Sequence, residues 1–129
     1  MIKIFKGFSV FSGSDSLALK AVRNGGAGAI TAVSNISGKL LSFIINNWKE
    51  ASSIAKFSEL QKLQEEIRSI VFHHQPISSL KAFISTRDDN PEWNRLLPPL
   101  TFLQDPSNNS TIINLQVLIK KMNLLLSST

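Results

Sequence analysis

The chain contains neither cysteine nor tyrosine among its 129 residues. Without cysteine it can form no disulfide framework and no thiolate metal site, and the composition fits a reducing compartment, so we expect a cytoplasmic protein. Its uninterrupted apolar runs are only a few residues long, well short of the roughly 20 that a membrane helix needs. We therefore expect no membrane partner. Residues 1–6 lack a long apolar core and a small-residue cleavage site, so we predict no signal peptide.

Positive charge is present but dispersed. The fourteen lysines and arginines outnumber nine acids and give a net charge of +5, yet only Lys120 and Lys121 are adjacent. Surfaces that bind nucleic acid usually cluster basic residues and interleave them with aromatic ones, so we expect no nucleic-acid partner. Hydrophobic residues make up 43% of the chain, which is enough for a folded core. The length allows one domain of ordinary size or part of a larger one.

Two β-prone segments flank a helical one in the first part of the chain. Residues 8–12 favour a strand, and residues 16–23 favour a helix that ends where residues 24–26 offer left-handed backbone conformations. Residues 28–34 are small and apolar on both faces, which is typical of a parallel strand covered by helices. A strand, a helix and a second parallel strand predict a right-handed crossover unit.

Two parallel strands alone do not form a stable sheet, because each of them is an edge. We therefore expect the missing neighbouring strands to come from another chain or from the rest of a larger barrel. This reasoning divides the chain into residues 1–51, which carry the strands and their helices, and residues 52–129, which we predict to be helical.

The predicted helical region has apolar residues at spacings of three and four. Its longest stripe consists of Ile54, Phe57, Leu60, Leu63, Ile67, Ile70 and Val71. Pro76 interrupts this pattern, and Leu80 and Ile84 indicate a short helix after it. Residues 87–99 are polar and contain proline, so we predict a loop. Residues 107–110 offer caps for a last helix.

Four ordered motifs resemble the dihydrodipicolinate synthase / N-acetylneuraminate lyase family. Ser12-Gly13-Ser14-Asp15 is similar to the Ser-Gly-Asp-Asp that follows the family's seventh strand. Gly25-Gly26-Ala27-Gly28-Ala29-Ile30-Thr31-Ala32-Val33-Ser34-Asn35 is similar to Gly-Gly-x-Gly-Val-Ile-Ser-Val-x-x-Asn at its eighth strand, with the same spacing between the two. Leu80-Lys81-Ala82 resembles its Val-Lys-Ala, and Pro98-Pro99-Leu100 resembles its Pro-Pro-Leu. Ser14 departs from the commoner Asp, as it does in some keto-deoxy-sugar-acid aldolases.

The resemblance implies an α/β fold: the last two strands and helices of a (β/α)8 TIM-type barrel, followed by a C-terminal helical segment. It also implies a lyase or synthase that holds pyruvate or another 2-keto acid as a lysine Schiff base, without a cofactor, usually as a homo-oligomer. Both 4-hydroxy-tetrahydrodipicolinate synthase and 2-keto-3-deoxy sugar acid aldolase types stay open. By the family spacing the lysine lies upstream of Met1. We therefore expect no catalytic residue in this chain, and a missing N-terminal half as its partner.

The substrate-binding residues that the resemblance implies lie at the strand ends, where barrel enzymes form their pockets. Ile30 matches the position whose backbone contacts pyruvate, and Gly13 matches the glycine that leaves room beside the imine. Ser14 and Asp15 complete the predicted set. Each has a structural alternative: Gly13 as a turn residue, Ile30 as barrel core, and Asp15, or Ser14, as a helix N-cap.

A second interpretation comes from a different class of function. Residues 52–129 could form a non-catalytic helical interaction module that retains a barrel remnant. We expect no metal in either case, because His73 and His74 are adjacent and diverge on a helix, and no cysteine or carboxylate cluster joins them.

Overall fold

The computed structural model describes residues 7–73 and 75–128, so the expectations for residues 1–6 and for His74 lie outside the described residues. Its regular elements are β1 (Phe11–Ser12), α1 (Asp15–Arg23), β2 (Gly28–Ala29), α2 (Ser34–Asn46), α3 (Phe57–Phe72), α4 (Pro76–Arg87) and α5 (Ser110–Ser127). Short 3-10 turns at Trp48–Glu50 and Pro91–Asn94 follow α2 and α4. The described chain is mostly helical, with one short pair of strands.

The two strands pair in parallel, as the sequence predicts. Phe11 lies opposite Gly28, and Ser12 lies opposite Ala29. Both strands are much shorter than the predicted segments 8–12 and 28–34. Each has only one neighbour among the described residues, so the ladder ends early.

Helix α2 begins inside the segment that was predicted to be the second strand. The Ser34 backbone N–H donates to Thr31 Oγ1 at 3.3 Å, and the Asn35 N–H donates to the Ala32 carbonyl at 3.3 Å. These bonds turn the chain into the helix at Ser34. Ser37 lies within α2 at a non-helical kink.

Helix α1 ends as its sequence predicts. Gly25 adopts a positive φ of 89°, which glycine tolerates without strain. Its N–H donates to the Val22 carbonyl at 2.9 Å, and the Gly26 N–H donates to the Ala21 carbonyl at 2.8 Å. This pair of bonds is a Schellman motif, and it satisfies the last carbonyls of the helix.

The core is a single hydrophobic cluster centred on α3, which packs against α1, α2, α4 and α5. The predicted α3 stripe is confirmed at its buried positions. The buried members of the cluster are Val33, Ile36, Leu40, Ile44, Phe57, Leu60, Leu63, Ile67, Val71, Leu80, Ala82, Phe83, Ile84, Ile112, Leu115 and Met122. The cluster therefore draws residues from both predicted regions of the chain.

The last helix begins where its caps were predicted. The Asn109 side chain accepts a hydrogen bond from the Thr111 N–H at 3.0 Å, which is the usual role of an N-cap residue. Within residues 7–73 and 75–128, no helix is both long enough and apolar enough to cross a membrane.

Candidate functional site

Four predicted site residues lie at one edge of the strand pair. Gly13, Ser14 and Asp15 follow β1 directly, and Ile30 follows β2. Because the strands are parallel, these residues share the edge formed by the carboxyl ends of the strands. The Ile30 N–H donates to the Ser12 carbonyl at 2.9 Å and ties the two segments together. We call residues 13–15, Ile30 and Thr31 the strand-end rim.

The turn into α1 is held by serine side chains. Ser12 Oγ donates to the Ser14 carbonyl at 2.8 Å and accepts from the Ser14 N–H at 3.2 Å. Ser14 occupies the N-cap position of α1, but its side chain makes no capping hydrogen bond. Its hydroxyl lies 3.0 Å from Ser16 Oγ instead. The Ser14 hydroxyl is therefore engaged at the surface of the rim rather than with the backbone of the helix.

The N-cap alternative for Asp15 is wrong. Asp15 is the first residue of α1, and only 7% of its surface is exposed. Its Oδ1 accepts from Thr31 Oγ1 at 2.7 Å and from Gln64 Nε2 at 3.2 Å. A carboxylate at a helix N-terminus is also favoured by the helix dipole. One carboxylate oxygen therefore connects the ends of both strands to α3.

Two further polar residues complete this network. The Thr31 hydroxyl lies 2.6 Å from Ser34 Oγ, and because the Thr31 hydrogen goes to Asp15, the Ser34 hydroxyl donates in that pair. Gln64 is 4% exposed, and its Oε1 has no hydrogen-bond partner among the described residues. Leaving a buried carbonyl oxygen unpaired costs free energy. The Gln64 side chain therefore makes one hydrogen bond, to Asp15, while its carbonyl oxygen stays without one among the described residues.

Sequence reasoning missed Gln64 as a rim contact. The available signal is its position: Gln64 lies on the apolar face of α3, four residues after Leu60 and three before Ile67, where another apolar residue is expected. A polar residue at such a core position usually has a buried partner. Nothing local identifies Asp15, which is 49 residues away, as that partner.

Gly13 and Ile30 both face open space. A Cβ at Gly13 would meet no atom within 4 Å, and the Gly13 backbone lies outside the left-handed region. Ile30 is 73% exposed, so it is not part of a core in this chain. Phe8 and Phe11 are exposed as well, which leaves apolar surface around the strand pair.

The described residues offer no evident nucleophilic lysine. None of the lysines within residues 7–73 and 75–128 lies on a strand, and none is buried. In the same part of the chain, no group of three or more histidine, aspartate or glutamate residues could hold a metal ion. The rim presents hydroxyl, carboxylate and backbone groups.

Residues 1–117 match a family model, that of the dihydrodipicolinate synthetase family. No curated protein and no solved structure matches the chain. The match covers both strands, helices α1 to α4 and the first part of α5, and it therefore includes every residue of the strand-end rim. The chain belongs to the dihydrodipicolinate synthetase family.

Proposed function

We propose that the chain is the C-terminal part of a Schiff-base lyase or synthase acting on pyruvate or another 2-keto acid. Family membership supports an aldolase- or synthase-type function. The observation that carries the proposal is the parallel β1–β2 pair joined by α1, with the rim at its carboxyl ends and no further strand beside it in the described part of the chain. In this proposal the pair corresponds to strands seven and eight of an incomplete barrel, within residues 1–51, and residues 52–129 form the helical region.

Exposed apolar side chains support the need for neighbouring strands. Phe8 is 74% exposed, close to the value for Ile30, and Phe11 is half exposed. Strands of a parallel barrel are covered on both faces, and a contiguous apolar surface usually marks a place where another protein surface packs. In our proposal the missing N-terminal half of the barrel covers these residues.

The rim residues have separate roles in this proposal. Open space beside Gly13 leaves room for the imine carbon of the bound keto acid, and the backbone of Ile30 contacts its carboxylate end. The Ser14 hydroxyl is a polar contact at the edge of the pocket. Asp15 Oδ1 joins the end of the second strand to α3 through Thr31 and Gln64, and the second carboxylate oxygen of Asp15 is the group that would contact the substrate.

The chemistry requires a group that the described residues do not supply. A lysine must be neutral to attack a ketone, and burial away from water lowers its pKa to make this possible. The described lysines are exposed or half-buried and lie outside the strands. The N-terminal half would therefore contribute the Schiff-base lysine and the proton-shuttling tyrosine, and the protonated imine would act as the electron sink for making or breaking the C–C bond.

Borohydride trapping tests the proposal. The chain is mixed with a separately produced polypeptide that carries the first six strand–helix units of a family member, then treated with pyruvate and borohydride and analysed by mass spectrometry. We expect an adduct on the partner's lysine that requires this chain, and none on this chain alone. Ile30→Asp should abolish the effect, whereas Leu124→Asp, at a similarly exposed position on α5, should retain it.

Two outcomes would contradict the proposal. A covalent adduct on this chain alone would show that it carries its own nucleophile. A failure of the two polypeptides to associate, or a partner adduct that is equally strong without this chain, would remove the barrel-completion role.

The second candidate function is a helical interaction module. It is favoured by the core, because most of its buried residues lie in α3 to α5, within residues 52–129. The nucleotide sequence upstream of Met1 distinguishes the two candidates. An open frame that encodes six strands and the lysine supports the enzyme, and unrelated sequence supports the module.

A further inference from the structure

The C-terminal end of α3 and the N-terminal end of α5 form a polar pocket of about 330 Å³. Every lining residue except one isoleucine has a side-chain group that can donate a hydrogen bond, and none is acidic. None of the lining residues belongs to the strand-end rim. We call this set the α3–α5 pocket: Ser69, Ile70, His73, Ser110, Thr111 and Asn114.

One wall of the pocket is the N-terminus of an 18-residue helix. Asn109 Oδ1 accepts from the Thr111 N–H at 3.0 Å, and the Asn109 carbonyl accepts from the Ile113 N–H at 3.0 Å. The backbone N–H groups of Ser110 and Ile112 have no hydrogen-bond partner in the described part of the chain. Unpaired N–H groups and the helix dipole give this end of α5 a partial positive charge, which favours an anion.

The Thr111 side chain is a second and independent indication of a ligand. Thr111 is only 7% exposed, yet its hydroxyl makes no hydrogen bond within residues 7–73 and 75–128, where only its backbone N–H is bonded. The hydroxyl is not among the unpaired side-chain atoms that are fully enclosed, so it reaches open space, and Thr111 lines this pocket. By contrast, the Thr86 hydroxyl on α4 donates to the Ala82 carbonyl at 3.0 Å. A ligand in the pocket would supply the partner that Thr111 lacks.

A cation without a carboxylate partner lies beside the pocket. Arg68 lines a second pocket, which shares Ser69 and His73 with the first and also includes Glu65. The Arg68 guanidinium carbon lies 4.5 Å from the centre of the Phe72 ring, and its Nε is buried without a hydrogen bond among the described residues. Arg68 takes part in none of the ion pairs found there. Its charge is therefore available to attract an anion.

We propose that the α3–α5 pocket binds a phosphate group, either free or in a small phosphate ester. Hydroxyl and amide donors, a helix N-terminus and a nearby arginine are the groups that recognise phosphate oxygens in proteins. The pocket has the volume of roughly eleven water molecules at about 30 Å³ each, which leaves room for the organic part of an ester. We therefore expect an ester to bind more tightly than free phosphate. This site is independent of the function proposed above, because it uses neither the strands nor the rim.

Proton–nitrogen correlation spectra of the isotope-labelled full chain test the site. Glycerol 3-phosphate, inorganic phosphate, sodium chloride and glycerol are added in separate titrations, the salts at matched ionic strength. We expect glycerol 3-phosphate to shift the amide signals of Ser110, Thr111 and Ile112 saturably, inorganic phosphate to bind more weakly, and chloride and glycerol to cause no saturable shift. Equal affinities for the two phosphate compounds would assign the site to free phosphate.

A threonine-to-valine change tests the buried hydroxyl. Thr111→Val should raise the dissociation constant for glycerol 3-phosphate at least about tenfold, as for a lost hydrogen bond to a charged group. Its melting temperature without ligand should not fall, because the hydroxyl has no partner within the described chain. Thr86→Val is the matched control, and it should leave the affinity unchanged because its hydroxyl lies outside the pocket.

A change on the α3 side keeps the test decisive if Thr111→Val does not fold. Ser69 is exposed, so Ser69→Ala should fold normally and weaken the binding of glycerol 3-phosphate by about fivefold through one lost hydrogen bond.

Three results would overturn the proposal. The first is the absence of saturable shifts at residues 110–112 with either phosphate compound. The second is a set of shifts that glycerol alone reproduces. The third is an unchanged affinity in both Thr111→Val and Ser69→Ala, which would place the phosphate elsewhere on this positively charged chain.

Discussion

The strand pair and the helices α2 to α5 differ in length and in burial. Each strand keeps two residues, and the neighbouring Phe8 and Ile30 are exposed. In α3, Leu60, Leu63 and Ile67 are almost completely buried. A helix satisfies its backbone hydrogen bonds internally, whereas a strand depends on its neighbours. Among the described residues, the helices are therefore long and well buried, whereas the strands are short.

The largest expected difference in the free energy of unfolding is between truncating a side chain in α3 and truncating one beside the strands. Leu60 has no exposed surface, so Leu60→Ala should lower the free energy of unfolding by about 2–5 kcal/mol through lost burial and the cavity that remains. Ile30→Ala should change it by less than about 0.5 kcal/mol, because the side chain is already in water. Urea denaturation measures both. Equal losses would mean that Ile30 is packed in the folded chain and would break the comparison.

Two glycines near the strands extend the comparison of helices and strands to the backbone. A Cβ at Gly26 would lie 2.8 Å from the Ala21 carbonyl oxygen and 3.3 Å from that of Val10. Gly26→Ala should therefore destabilise the chain by about 1–3 kcal/mol, since backbone atoms must shift. Gly13→Ala is the control and should be nearly neutral because nothing is close to it. A neutral Gly26→Ala in thermal melts would contradict the close approach of Gly26 to the carbonyl oxygens of Ala21 and Val10.

The smallest expected effect is the coupling between the two regions through Asp15 and Gln64. A double-mutant cycle of Asp15→Ala and Gln64→Ala should give an interaction energy of about 1 kcal/mol, as for a single hydrogen bond. The matched cycle with Gln61→Ala should give a value near zero, because neither hydrogen bond accepted by Asp15 comes from Gln61. Equal coupling in both cycles would show that the network acts only through general packing.

Local patterns predicted the helices well and the strands poorly. The helix over residues 16–23 was found as Asp15–Arg23, and its glycine-rich end and the cap of α5 followed from single residues and their immediate neighbours. Strand length could not follow from the same patterns, because it is set by pairing partners that are distant in the sequence. Helix α2 begins at Ser34, the last residue of the predicted strand 28–34, since a small apolar segment fits a strand and the first turn of a helix equally well.

The candidate site also has a part that the sequence predicts and a part that it does not. The positions of Gly13, Ser14, Asp15 and Ile30 at one edge follow from the parallel pairing that the sequence predicts, while their roles toward a substrate stay predictions. The burial of Asp15 and its bond to Gln64 depend on contacts between residues that are far apart in the sequence. An aspartate one residue after a serine favours a cap on local grounds, and only the packing of α3 makes it a buried acceptor.

The Gln64–Asp15 bond also bears on protein engineering. Grafting residues 1–51 onto a foreign barrel would leave out the Gln64 amide that donates to Asp15. The transplanted rim would then lack its hydrogen bond to α3. A successful chimera would have to include helix α3, even though that helix contributes no strand and lies outside residues 1–51.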